Sequence, residues 1–302
     1  MSSSERLLIL GATGQLGHDL VRAAAGQNVE HVGLGHDEVE VTSAESVAVA
    51  IQRVAPTVVI NCAAIHRVDD CEQDPRQAYL VNTLGALLLA RAAAQAGARC
   101  VYISTDYVFA GHKAPPADGA LTPLTGYVEG DPTGPVNVYG LSKAAGEQGV
   151  ALVGAEHLTV RVASLFGVAD VRRKGGNFIE AILKKANQGG PLRVVNDQWM
   201  TPTYTADAAQ AIIRVAMAGS TGIVHVTNTG GCTWYDLACE AIQLVGLGAS
   251  VEPIPAASYY SKARRPRNSA LYTGRLASLT GTPLRPWRDA LRAYLQEKGH
   301  IT

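Results

Sequence analysis

Two residues in this sequence are well spaced for proton transfer, Tyr139 and Lys143 in the stretch Tyr139-Gly-Leu-Ser-Lys143. Four apart, they share one face of a helix. A phenol titrates near pH ~10 and is a weak acid at neutral pH. A neighbouring ammonium stabilises the phenolate, which suits the phenol to protonating a carbonyl oxygen. The spacing alone is common. It gains meaning from the run Val101-Tyr-Ile-Ser104-Thr105-Asp106 about 30 residues upstream. That run reads as a strand with hydroxyls at its carboxyl end, where ligands of open parallel sheets bind and where a hydroxyl can donate to the same substrate oxygen.

A second constellation lies at the start of the chain. Gly11-Ala-Thr13-Gly14-Gln15-Leu16-Gly17 falls between an apolar run at 6–10 and a helical pattern at 15–25. Glycines let a pyrophosphate approach the backbone, and the helix N-terminus presents free N–H groups to it. Strand, glycines and helix in that order make a dinucleotide cradle the favoured reading over an ordinary turn. The spacing is G-x-x-G-x-x-G, which resembles that of the short-chain dehydrogenases. After the second predicted strand, where an acid would hold a ribose 2′-hydroxyl, stands Gly35, followed by His36 and Asp37. A missing acid and a histidine facing a 2′-phosphate favour NADP slightly over NAD. A surface turn with no role is an equally good reading of His36.

These groups need a scaffold, and the patterning supplies one. Predicted strands at 6–10, 29–34, 57–60, 100–104, 157–163 and 222–227 alternate with predicted helices at 15–25, 44–54, 75–96, 139–153 and 208–218. That alternation implies an α/β, Rossmann-like, doubly wound parallel sheet with helices on both faces. Further helices are expected near 234–245 and 287–298, with a Pro-rich connector at 253–266. We expect a dinucleotide-binding domain over 1–165, with contributions from about 202–228, and a smaller mixed substrate lobe over 166–302. The segment 110–137 holds five Pro and five Gly and reads as a ligand-side loop, either a lid or a plain insertion.

Composition bounds the partners. The chain has 302 residues, 47% of them hydrophobic, enough for a large core. Lys plus Arg and Asp plus Glu number 26 each, so no net charge draws the chain to nucleic acid or an anionic membrane. No apolar run is long enough to span a bilayer and no signal peptide is read, so a cytoplasmic location is expected. Five cysteines without a Cys-x-x-Cys pair read as small core residues, and the eight histidines lack ligand spacing, so no protein-held metal is expected. Trp287 and Tyr294, at helical spacing, read as core or interface packing. Two basic runs, Arg172-Arg-Lys174 and Arg264-Arg-Pro-Arg267, are candidates for facing an anion; the first reads mostly as solvated loop, the second as functional.

The motifs together resemble the RmlD-type reductases, the dTDP-4-dehydrorhamnose reductase family of extended short-chain dehydrogenases. The matching stretches include residues 11–17, Asn61 to Glu72, Val81-Asn82, Ser104-Thr-Asp-Tyr-Val-Phe109, Asn137 to Lys143, Gly176-Asn-Phe178 and Arg265-Pro-Arg-Asn-Ser269-Ala-Leu271. The resemblance implies reduction of the C4 keto group of a dTDP-linked deoxysugar, dTDP-4-dehydro-L-rhamnose giving dTDP-L-rhamnose, by Thr105, Tyr139 and Lys143. It implies cofactor contacts at Gly11, Thr13, Gly14, Gln15, Leu16, Gly17, His36, Glu40, Val41, Ala63, Ala64, Ile65 and Ser104, besides Tyr139 and Lys143. Substrate contacts are implied at His66, Val68, Thr105, Asp106, Ser164, Asn177 and Arg265. It also admits a homodimer and a magnesium ion bridging cofactor phosphates. The chain departs from the family pattern at His66, where Thr is usual. It departs again at Ser164, where an aromatic that packs on the sugar is usual; Phe166 and Trp199 are the candidates to replace it. Two alternatives stay open: a 4-epimerase with tightly held cofactor, and a non-catalytic dinucleotide-binding subunit similar to the methionine adenosyltransferase beta subunit.

Overall fold

The computed structural model describes residues 5–154, 156–169 and 176–302. The first half alternates as its patterning predicts. In order come β1 (Arg6–Leu10), α1 (Gln15–Gly26), β2 (Glu30–Leu34), α2 (Ala44–Val54) and β3 (Val58–Asn61). Then follow α3 (Val68–Gln73), α4 (Pro75–Tyr79), a π-helical turn (Leu80–Gly85), α5 (Ala86–Gln95) and β4 (Arg99–Thr105). After the long loop come α6 (Val138–Ala151), β5 (His157–Val162) and β6 (Leu165–Phe166).

The rest of the chain is less regular. It holds α7 (Phe178–Asn187), β7 (Leu192–Val195), β8 (Trp199–Met200), β9 (Thr203–Tyr204) and α8 (Thr205–Met217). It closes with β10 (Gly222–His225), β11 (Cys232–Thr233), α9 (Trp234–Val245), β12 (Val251–Ile254), α10 (Gly274–Thr280) and α11 (Trp287–Glu297).

Six parallel strands form one sheet in the order β10-β5-β4-β3-β1-β2. The chain winds from β1 outward to β2, then returns to β3 on the other side. The crevice at the carboxyl ends of β1 and β3 is therefore the switch point at which such sheets bind ligands. The central strands are continuous apolar runs because both faces are covered. Leu7 and Ile9 face α1 and α8, while Leu8 and Leu10 face α2 and α5. Small residues allow the close layers: Ala23 and Ala24 of α1 meet Ala208, Ala209 and Ala216 of α8 in one buried cluster.

A separate core gathers Phe166, Ile179, Tyr204, Leu237, Trp287, Leu291 and Tyr294 from the later elements. Trp287 and Tyr294 are 2% and 0% exposed, so both pack within the chain's own core. All five cysteines are free thiols, three of them buried. No helix among the described residues is long and apolar enough to cross a membrane.

Two expected elements differ. The helix predicted over 75–96 is interrupted by the π turn, because the buried Asn82 bonds to the loop after β3 instead of facing a helical neighbour. Such turns place extra residues against a site. Within the expected 253–266 connector, residues up to Ile254 belong to β12, which among the described residues pairs with β7 alone, so Pro253 sits in an edge strand where its missing N–H is tolerated. The loop 110–137 is held by its own residues. The Tyr127 hydroxyl accepts from the N–H groups of Gly111 and His112 at 3.0 and 2.8 Å, and its ring stacks on Phe109 at 4.1 Å. Asn268 Nδ2 donates to the Thr125 carbonyl at 2.8 Å, tying the loop to the later part of the chain.

Candidate active site

The glycine turn is shaped by contacts that a side chain would destroy. Gly11 has φ +78°, and its N–H continues the β1–β2 ladder to the Leu34 carbonyl at 2.9 Å. A Cβ on Gly11 would lie 3.0 Å from the backbone of Cys62 and Ala63; one on Gly17 would lie 2.1 Å from the Gly11 carbonyl oxygen. The turn, α1 and the β3 loop are thus packed backbone to backbone. Helices α2, α6, α7 and α9 are capped by Ser43, Asn137, Asn177 and Thr233, but α1 begins at Gly14 with no side-chain cap and no acid in its first turn. Its first N–H groups have no side-chain acceptor, an arrangement in which a helix start can take an anion.

The loop after β3 forms the next wall. Ala63, Ala64 and Ile65 are partly buried here, and the Ile65 N–H donates to Asn82 Oδ1 at 2.9 Å. Asn82 Nδ2 donates to the Ile65 carbonyl and to Ser142 Oγ, each at 3.0 Å. Asn82 is completely buried and organises this wall, a role that the Val81-Asn82 match in the sequence did not assign. Its signal was an asparagine inside an Ala/Leu-rich helical pattern.

The reactive groups converge at the ends of β4 and α6. Ser104, Thr105 and Asp106 are 2%, 5% and 2% exposed. Ser104 Oγ is buried without a hydrogen-bond partner, a polar atom that a bound ligand would satisfy. Thr105 donates to Asp106 Oδ1 at 3.0 Å, and its hydroxyl lies beside that of Tyr139. Burial raises the Tyr139 phenol above its ordinary range, the Asp106 charge adds to this, and the Thr105 bond opposes it. Lys143 Nζ donates to the Ile103 carbonyl at 2.6 Å. The Lys143 side chain is itself buried, and that burial pulls its ammonium down to about 7, with Glu147 one turn further acting in the opposite sense. Glu147 in turn is held by Arg161 Nε and Nη2 at 2.9 and 2.7 Å.

The remaining expected residues are spread more widely. His36 is exposed, 3.9 Å from Glu40, whose carboxylate accepts from the Thr42 N–H and hydroxyl at 2.9 and 2.8 Å. Val41 is buried, packed beside Gly85 of the π turn. Thr13 is exposed and lies against Gly35. His66 is exposed and Val68 opens α3. Asn177 caps α7 at the Glu180 N–H and donates to the Tyr294 hydroxyl at 3.0 Å, so its side chain is engaged by the fold. Ser164 has φ +43° where β5 bends into β6, and its carbonyl accepts from Thr203 at 3.2 Å. Phe166 is 2% exposed and stacked with Tyr204, turned into the second core, which leaves Trp199, partly exposed, as the aromatic with free surface. Arg265 faces Asp69 at 3.7 Å and bonds Ser261 and Tyr107. With Arg264, Arg267 and residues 110–115 it lines a cavity of about 650 Å³. The run Arg172-Arg-Lys174 lies outside the described residues.

A doubly wound parallel sheet, an uncapped glycine turn at its switch point, and Thr105, Tyr139 and Lys143 at one mouth define an oxidoreductase of the extended short-chain dehydrogenase class. The model of the RmlD substrate binding domain matches residues 5–299. The chain belongs to the RmlD family. It is 38% identical to a dTDP-4-dehydrorhamnose reductase of Streptomyces griseus, over 95% of this chain and 91% of that protein. It is 39% identical to a probable dTDP-4,6-dihydroxy-2-methyloxan-3-one 4-ketoreductase of Streptomyces antibioticus, over 95% of this chain and 93% of that one. Its fold matches the crystal structure of dTDP-4-dehydrorhamnose reductase from Bacillus anthracis in complex with NADP. There the TM-score is 0.88 and the identity 31%, over 98% of this chain and all of the other.

Proposed function

We propose that this enzyme reduces the C4 keto group of a dTDP-linked 4-keto-6-deoxysugar, with dTDP-4-dehydro-L-rhamnose as substrate, dTDP-L-rhamnose as product and NADPH as reductant. The observation that carries the reading is the meeting of Thr105 and Tyr139 beside buried Lys143 at the carboxyl end of β4. The relatives' names support a dTDP-sugar reductase and do not favour the regulatory-subunit alternative. When bound, the dinucleotide supplies the hydride. The Gly11 to Gly17 turn and the α1 N-terminus bind its phosphates, and Ser104, Ala63, Ala64 and Ile65 border it. Tyr139 gives its hydroxyl proton to the keto oxygen, Thr105 orients that oxygen, and Lys143 supplies positive charge near the phenolate left behind. Arg265, with Arg264 and Arg267, places positive charge on the cavity that would take the nucleotide diphosphate. Gly35, standing where an acid on the strand end would reach a ribose 2′-hydroxyl, supports NADPH over NADH, with the Glu38 carboxylate engaged by the Gly35 N–H at 2.8 Å.

The test is NADPH consumption with dTDP-4-dehydro-L-rhamnose, run on the wild type and on Tyr139→Phe. Turnover is expected in the wild type and a loss of about 100-fold or more in the variant, the contribution of a positioned general acid. NADPH affinity should stay within several-fold. Equal turnover in both would refute the assignment of Tyr139.

A further inference from the structure

Both oxygens of the Asp106 carboxylate are taken, and from distant parts of the chain. Oδ1 accepts from the Thr105 hydroxyl at 3.0 Å. Oδ2 accepts from Ser269 Oγ at 2.5 Å, across 163 residues of sequence. Ser269 is 2% exposed, and its backbone N–H donates to the Trp199 carbonyl at 2.9 Å. The neighbouring Asn268 is completely buried and bound to the 110–137 loop. The Arg265 to Ser269 segment is thereby locked against the end of the central sheet, and its hydroxyl reaches the residue beside the reacting groups.

A hydroxyl has one proton to give. While Asp106 takes the Thr105 proton, Thr105 Oγ1 accepts from the Tyr107 N–H at 3.2 Å, and the hydroxyl so fixed lies beside Tyr139. A carboxyl freed from Ser269 could rotate or take up a proton, and either change would reverse the Thr105 hydroxyl.

We infer that Ser269 is a positioning residue: by donating to Asp106 it holds the carboxylate that fixes the Thr105 hydroxyl beside Tyr139. The inference rests on the reductase reading for its kinetic consequence and on geometry alone for its electrostatic one. Groups facing this cluster are Tyr107 on the same turn, Tyr139 from α6, Cys71 from α3, and Arg265 with Asp69 around Tyr107. Burial lifts the Asp106 carboxyl to about 7, and the bonds from Ser269 and Thr105 oppose that rise. A donor to a carboxylate favours the ionised form, so its removal moves the titration upward.

The experiment compares wild type, Ser269→Ala, Ser269→Thr and Tyr139→Phe with NADPH and dTDP-4-dehydro-L-rhamnose across the pH range. Ser269→Ala should lower kcat about tenfold with KM within about twofold, the loss of one oriented hydrogen bond. Its acid limb should move to higher pH, and Ser269→Thr should restore both. A second readout needs no substrate: the ¹³C titration of the Asp106 carboxyl in labelled protein, assigned with Asp106→Asn, should move upward in Ser269→Ala. If that variant does not fold, Ser269→Cys keeps the size with a weaker donor and should show the same upward movement. An unmoved carboxyl titration would overturn the inference, as would wild-type kcat and acid limb in Ser269→Ala, or a change confined to KM. Full turnover by Tyr139→Phe, or none by the wild type, would instead count against the reductase reading, and the carboxyl titration would still decide the role of Ser269.

Discussion

Lys143 Nζ lies 4.0 Å from the centroid of the Tyr102 ring, which forms an aromatic floor beneath the ammonium. The Tyr102 hydroxyl donates to the Asn82 carbonyl at 2.8 Å, so the floor is fixed to the π turn that shapes the β3 loop. A residue two positions before the hydroxyls at the end of β4 thus couples the lysine of α6 to the loop after β3.

That burial has a consequence for stability. Lys143 falls from an ordinary 10.5 to about 7 in the fold. Between those values the unfolded chain binds more protons, so stability rises as pH increases through the window and is lost as pH falls toward 7. Lys143→Met keeps an apolar stem and removes the titration. In cofactor-free protein, thermal melts should show the wild type gaining on the variant from neutral toward alkaline pH. Parallel curves would mean that the ammonium is not desolvated.

Gly35 tests the cofactor preference. A Cβ there would lie 2.8 Å from Thr13 Cγ2, the end of an exposed side chain that can turn away. Gly35→Ala therefore measures the steric cost, and Gly35→Asp adds a charge at the end of β2. We expect Gly35→Asp to weaken NADPH relative to NADH by about tenfold beyond Gly35→Ala, from repulsion of the 2′-phosphate. Titrations giving the same ratio for both variants would show that the phosphate is not read at this strand end.

Asn82 tests the wall. Asn82→Ala leaves the Ile65 N–H without the acceptor it now has at 2.9 Å. Loss of a buried partner costs about 1–3 kcal/mol, which urea unfolding should report. NADPH affinity should fall as well, because the Ala63 to Ile65 wall loses its anchor. A destabilised variant with unchanged NADPH affinity would separate Asn82 from the cofactor site.

The parallel sheet was legible because buried central strands must be continuous apolar runs, as Leu7 to Leu10 and Val58 to Ile60 are. The helices were legible where their apolar periodicity was strong. The π turn was not, since its cause is a bond from Asn82 to a loop 17 residues away. The short strands β8 and β11 were not legible either; two residues each carry no period, and they exist only because the chain brings Trp199 and Thr233 together.

By itself the sequence determined the order of strands and helices, the glycine turn and the Tyr139–Lys143 spacing, because these depend on local periodicity and on which residues lack a Cβ. The tertiary structure alone decided that Lys143 is buried on Tyr102, that Phe166 turns away into the second core, and that Ser269 reaches Asp106. Proton affinity and orientation are set by what surrounds a group in three dimensions, and in this chain those surroundings come from segments as far as 163 residues apart.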